Sequence, residues 1–126
     1  LANVNGVEAF ICFDTGSEVD AMTQEFANVA KLSFSTKQTP LRLRLATKGS
    51  LAQTSYEVQP VFDFGNSQLR HDIDIVNLDR WDVILGSPFC NQYGVVLNFK
   101  DRTVSWDGIT IKALTSDEEA AVKGQR

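Results

Sequence analysis

Apolar residues in this chain fall into short runs separated by turn formers, the pattern of a mainly β domain. Val7 to Phe13 is a nearly continuous apolar run that predicts a strand covered on both faces, and Asp14-Thr15-Gly16-Ser17 ends it. Across residues 20–31, Met22, Phe26, Val29 and Ala30 recur at helical spacing, predicting a short helix with one apolar face. Leu41, Leu43 and Leu45 alternate with Arg42 and Arg44, a half-buried strand that leads to a turn at Lys48-Gly49-Ser50. Beyond it Tyr56, Val58, Pro60, Phe62 and Phe64 share one face, with Pro60 placing that strand at an edge or interrupting it.

A turn at Gly65-Asn66-Ser67 precedes a strand marked by Leu69, Ile73 and Ile75; Trp81 to Leu85 forms another, closed by Gly86. A brief helix is expected after Pro88, stopped by Gly94. Val95 to Phe99 and Thr103 to Trp106 read as strands around Lys100-Asp101-Arg102, and Asp107-Gly108 is a hairpin turn into Ile109-Thr110-Ile111. In the tail a capping box from Ser116 to Glu119 allows a short helix over 117–123, whose low apolar content predicts a linker or frayed end. The expected organisation is one domain over residues 1–112 and a tail over 113–126, with no internal repeat.

A chain of 126 residues has room for one hydrophobic core. Its net charge of −4 offers no basic footprint for nucleic acid or an anionic membrane. No apolar run approaches the roughly 18–20 residues that span a bilayer. The start, Leu1-Ala2-Asn3-Val4-Asn5, lacks the features of a signal peptide and an initiator Met, as expected of a piece cut from a longer polypeptide. Cys12 and Cys90 are too few for a disulfide scaffold and predict a reducing compartment. No Cys or His cluster has the spacing of metal ligands, and no cofactor motif is present.

The sharpest chemical feature is Asp14-Thr15-Gly16-Ser17 at the end of an apolar strand. As a turn it needs no function, since Asp and Gly suit turns for local hydrogen-bonding and conformational reasons. As a site it asks more: Asp14 held in a largely buried, water-bearing cleft, Gly16 letting backbone amides approach, Thr15 and Ser17 supplying hydroxyls. A second feature, Val83-Ile84-Leu85-Gly86, follows a Trp-Asp pair and alone would be a core strand ending in glycine.

With the Lys48-Gly49 hairpin between them, the two segments give an order that resembles the retropepsin family. The likeness is closest to proteases of gypsy-type long-terminal-repeat retrotransposons or a domesticated relative. The stretches from Tyr93 to Val104 and from Arg44 to Ser50 contribute to it. It implies a mainly β, retropepsin-like closed barrel with one or two short helices, acting as a homodimeric aspartic endopeptidase on a peptide or polyprotein. Carried over by position, Asp14 resembles the catalytic aspartate and Thr15 the residue whose hydroxyl locks the two loops of the dimer together. Ile84-Leu85-Gly86 resembles the strand packed beneath the loop, and Ala46, Thr47, Lys48, Gly49 and Ser50 the flap over substrate. Ser17, Glu18 and the segment Ser87-Pro88-Phe89 depart from the pattern common in the transposon proteins.

The chemistry of that family uses two carboxylates sharing one proton, one drawing a proton from water while the other polarises the scissile carbonyl. This chain has one D-T-G and no repeat, so the second aspartate would come from a second copy across a twofold axis. Arg42, Arg44 and His71 read as surface residues of strands, Asp117-Glu118-Glu119 as a solvated helix start, and Trp81 and Trp106 as core or interface aromatics. The family resemblance further implies a cytoplasmic setting, including retrotransposon particles. Two other readings fit parts of the pattern: a catalytically silent, domesticated dimerisation or binding module, and a small monomeric all-β ligand-binding barrel.

Overall fold

The computed structural model describes residues 1–44, 51–65 and 67–125. The chain opens with β1 (Ala2–Val4), turns at Asn5-Gly6, both with positive φ, and returns as β2 (Val7–Ala9). The apolar run that predicted a single strand is then divided at Phe10. The Asp82 carboxylate accepts the Phe10 amide at 2.8 Å, and the Phe10 carbonyl accepts the amides of Asp82 and Val83. The segment thereby leaves its antiparallel pairing with β1 and continues as β3 (Ile11–Phe13), half-buried rather than covered on both faces. Nothing in the run itself marks that break, because its cause lies far along the chain.

A two-residue strand, β4 (Ala21–Met22), takes the start of the expected helix, and α1 is confined to Gln24–Val29. Thr23 sets that boundary, its hydroxyl accepting the Phe26 amide at 3.0 Å as an N-cap. β5 (Ser35–Arg44) and β6 (Leu51–Val58) pair antiparallel as far as Arg44 with Leu51. The expected flap, residues 46–50, lies outside the described residues. Pro60 follows β6, fully buried, where the chain passes from one sheet to another and continues as β7 (Val61–Asp63) and β8 (Gln68–Arg70). The strand expected from Leu69 to Ile75 is likewise two: β8 stops at Arg70, and β9 (Ile73–Ile75) joins a different sheet.

β10 (Val83–Leu85) leads directly into α2 (Ser87–Tyr93), with Pro88 in its first turn and Gly94 left-handed at its end. β11 (Val96–Asn98), β12 (Thr103–Trp106) and β13 (Ile109–Lys112) form a meander whose second turn has both Asp107 and Gly108 at positive φ. The tail is helical as α3 (Ser116–Gly124), capped by Thr115 with Glu118 rather than by Ser116 with Glu119. Glu119 is not merely solvated: it meets Arg80 and Lys123, and Lys123 lies over the rings of Phe10 and Trp81.

Among the described residues the strands form three sheets, ordered β2-β1-β7-β8, β3-β10-β4-β9-β6-β5 and β11-β12-β13. One core joins them, centred on the fully buried Phe62, Phe89, Met22, Ile73 and Leu85. Burying each such side chain contributes roughly 1.5–3 kcal/mol. Trp106 meets Phe13, Phe64 and Phe89 in ring contacts, as expected for a core aromatic. The fold is mainly β with short helices, as the sequence pattern indicated.

Candidate active site

Asp14 stands at the end of β3, just past the last residue paired with β10. In that parallel pair Ile11, Cys12 and Phe13 lie opposite Val83, Ile84 and Leu85. The ladder closes with one more bond, from the Asp14 amide to the Leu85 carbonyl at 2.9 Å. The Asp14 side chain turns back on its own loop, where Oδ1 accepts the Gly16 amide at 2.9 Å, and the Ser17 amide donates to the Asp14 carbonyl. Asp14, Thr15 and Gly16 are exposed in the single chain.

The loop rests on Gly86. A Cβ there would stand 2.3 Å from the Val19 carbonyl oxygen and 2.7 Å from that of Ser17. The Ser87 amide donates to the Ser17 carbonyl at 2.8 Å, fixing the same contact. Ser17 does not turn its hydroxyl to the Asp14 carboxylate: it donates to the Val19 carbonyl at 2.7 Å and accepts the Val19 amide. Of the residues expected to support the loop, Leu85 and Gly86 are buried and Ile84 is half-buried on the central strand.

Below the loop lies a pair that the sequence reading missed. Asp20 and His71 have side chains only 4% and 8% exposed, with His71 Nε2 and Asp20 Oδ2 2.5 Å apart. Asp20 Oδ1 accepts the Gly86 amide at 2.7 Å and the Phe89 amide at 3.3 Å. The His71 ring packs edge-on against Phe89 and Tyr93. His71 is therefore a core residue and not a surface one. Its phase held the clue, because His71 alternates with Leu69, Ile73 and Ile75 and so falls on their inward side.

Neither cysteine is set up as a nucleophile. Burial, then the nearby Asp14 carboxylate, pushes the Cys12 thiol up from its ordinary value; burial and then Asp20 do the same to Cys90. Cys12 lines an apolar cavity of about 480 Å³, walled by Phe13, Phe64, Trp81, Leu97 and Phe99 among others, along the side of β3.

The sequence matches the retroviral aspartyl protease family over residues 1–110. The chain belongs to that family. Plasmepsin I of Plasmodium falciparum, in the sequences of two isolates, is 28% identical over 122 residues, covering 84% of this chain. This chain spans 27% of the length of those curated relatives. Among solved structures, the retroviral protease-like domain of Ddi1 from Leishmania major superposes with a TM-score of 0.71 at 13% identity, covering 93% of both chains. That likeness is one of fold, and it extends through nearly all of the elements described above.

Proposed function

We propose that this retroviral-protease-like domain is one half of a homodimeric aspartic endopeptidase, each copy giving Asp14. The observation that carries the reading is Asp14 at the end of β3, its amide held by Leu85 and its loop packed on Gly86, yet exposed on one side. One D-T-G per chain leaves half of a carboxylate pair, and an exposed loop leaves room for the other half. An isologous contact about a twofold axis brings the same residue from each side.

Apolar surface supports a second copy. β11 is an edge strand, and next to it Phe99 is 87% exposed. In the dimer one Asp14 takes a proton from the attacking water while its counterpart protonates the scissile carbonyl oxygen, and no cofactor is needed. The substrate is an extended peptide. The gypsy-like stretch from Tyr93 to Val104 supports a polyprotein as the natural target, processed in the cytoplasm or in retrotransposon particles.

The test is hydrolysis of an unstructured peptide alongside a solution mass. A dimer that cleaves, with Asp14→Asn inert, is the expected result. A strictly monomeric chain at tens of micromolar, approximately the weak end of specific association, overturns the reading. So does a pure dimer that cleaves no peptide.

A further inference from the structure

The proposed hydrolysis uses neither Asp20 nor His71, although both are buried. Burying ionisable groups is costly unless every one of their polar atoms is met. The Asp20 carboxylate is met on both oxygens, by His71 on Oδ2 and by the amides of Gly86 and Phe89 on Oδ1. The His71–Asp20 contact joins Nε2 to Oδ2, its donor set by the imidazole tautomer.

The Gly86 amide and the Leu85 carbonyl are two ends of one peptide group. That carbonyl accepts the Asp14 amide at 2.9 Å. A single line of hydrogen bonds therefore runs from His71 to Asp20, through the 85–86 peptide, to Asp14. When a peptide N–H donates to a carboxylate, its carbonyl becomes a stronger acceptor, because successive bonds polarise one another. Asp20 is also tied down through its backbone, its carbonyl accepting the Asp74 amide at 2.9 Å.

We infer that Asp20, oriented by His71, is a positioning residue for Asp14, acting through the Leu85–Gly86 peptide. Its effect on turnover rests on the protease reading; the hydrogen-bond line itself does not. A carboxylate that only stabilised the start of α2 would lower stability and leave the turnover of folded protein unchanged. A positioning carboxylate changes turnover and the environment of the Asp14 amide in protein that is fully folded.

The experiment compares wild type, Asp20→Asn and Asp14→Asn by amide proton–nitrogen spectra and by peptide hydrolysis. In wild type the Gly86 amide proton lies downfield, as a donor to a carboxylate. In Asp20→Asn it moves upfield, and the Asp14 amide moves with it. The value of kcat falls roughly 10- to 100-fold, the scale of a catalytic group displaced by about 1 Å. KM stays within about twofold, because an interaction of the reacting state is lost and uniform binding is kept.

Folded Asp20→Asn with wild-type kcat, or with an unmoved Asp14 amide, overturns the inference. Should Asp20→Asn not fold, His71 decides: His71→Gln keeps a donor and retains most of kcat, whereas His71→Leu loses it. Equal and full activity in both variants overturns the inference. If wild type cleaves nothing, the protease reading falls and the amide shifts alone decide whether Asp20 positions Asp14. Asp14→Asn separates the two, since it stops cleavage while leaving the Gly86 amide downfield.

Discussion

The α-carbon of Gly86 lies so close to the Val19 carbonyl that a methyl group on it would stand 2.3 Å from that oxygen. The neighbouring atoms are backbone carbonyls of the loop after Asp14, which cannot rotate aside as a side chain would. Gly86→Ala should therefore push the loop away from β10. Overpacking of this kind costs about 1–3 kcal/mol. Denaturant melts should show that loss, and peptide hydrolysis should fall by far more than the melts alone account for.

Asp14→Asn should abolish hydrolysis and leave the fold intact. The amide side chain keeps an oxygen for the Gly16 N–H bond seen at 2.9 Å, but it does not act as the acid or base that the reaction needs. Sedimentation should return the wild-type mass, and circular dichroism the wild-type spectrum. A variant that cleaves as well as wild type removes Asp14 from the chemistry.

Helix α3 should loosen in acid. Hydrogen bonds to Thr115, backbone first, hold the Glu118 carboxyl below its ordinary value, and the bond from Lys123, ahead of Arg80, does so for Glu119. Carboxylates with depressed values stabilise the fold above their ordinary range near 4.5, and that contribution is lost as pH falls through the lowered values. Arg80 and Lys123 lie over the Trp81 ring, so release of α3 changes the surroundings of that indole. In a Trp106→Phe background, emission should shift below that pH, and Glu119→Gln should flatten the transition.

The thiols predict the alkaline side. Both cysteines have values raised above 9.0, chiefly by burial. The folded state then keeps its protons where the unfolded state has lost them. The contribution is whole below about 9 and declines as pH rises through the folded values. Alkylation of both thiols should be slow at neutral pH in folded protein, and Cys12→Ala with Cys90→Ala should reduce the loss of stability above pH 9. Rapid labelling at neutral pH would contradict the burial that raises them.

Much of the fold was legible because its causes are local. The Asp107-Gly108 turn, the Gly94 stop and the alternation through Val58, Pro60 and Phe62 each carry their own signal, and the structure follows them. The D-T-G loop was legible as a motif, whereas a strand ending at Gly86 beneath it was implied by the family resemblance and not by the apolar run itself. What could not be read has partners distant in sequence. Phe10 breaks a strand because Asp82 takes its amide, and Asp20 is buried because His71, 51 residues away, meets it. His71 was read as a surface residue although its period of two with Ile73 pointed inward, and no pattern says which buried acid an inward histidine will meet.

The switch of partner at Phe10 also sets the order of events in time. The Phe10–Asp82 bond closes a separation of 72 residues, and the acceptor for the Asp14 amide lies on the strand immediately after Asp82. At about 5–20 residues per second, that separation takes several seconds of synthesis. Through that interval a nascent chain carries Asp14 on a loop with no β10 to seat it. Within this domain the loop is made well before the strand that seats it, so any cutting activity must await the emergence of Gly86.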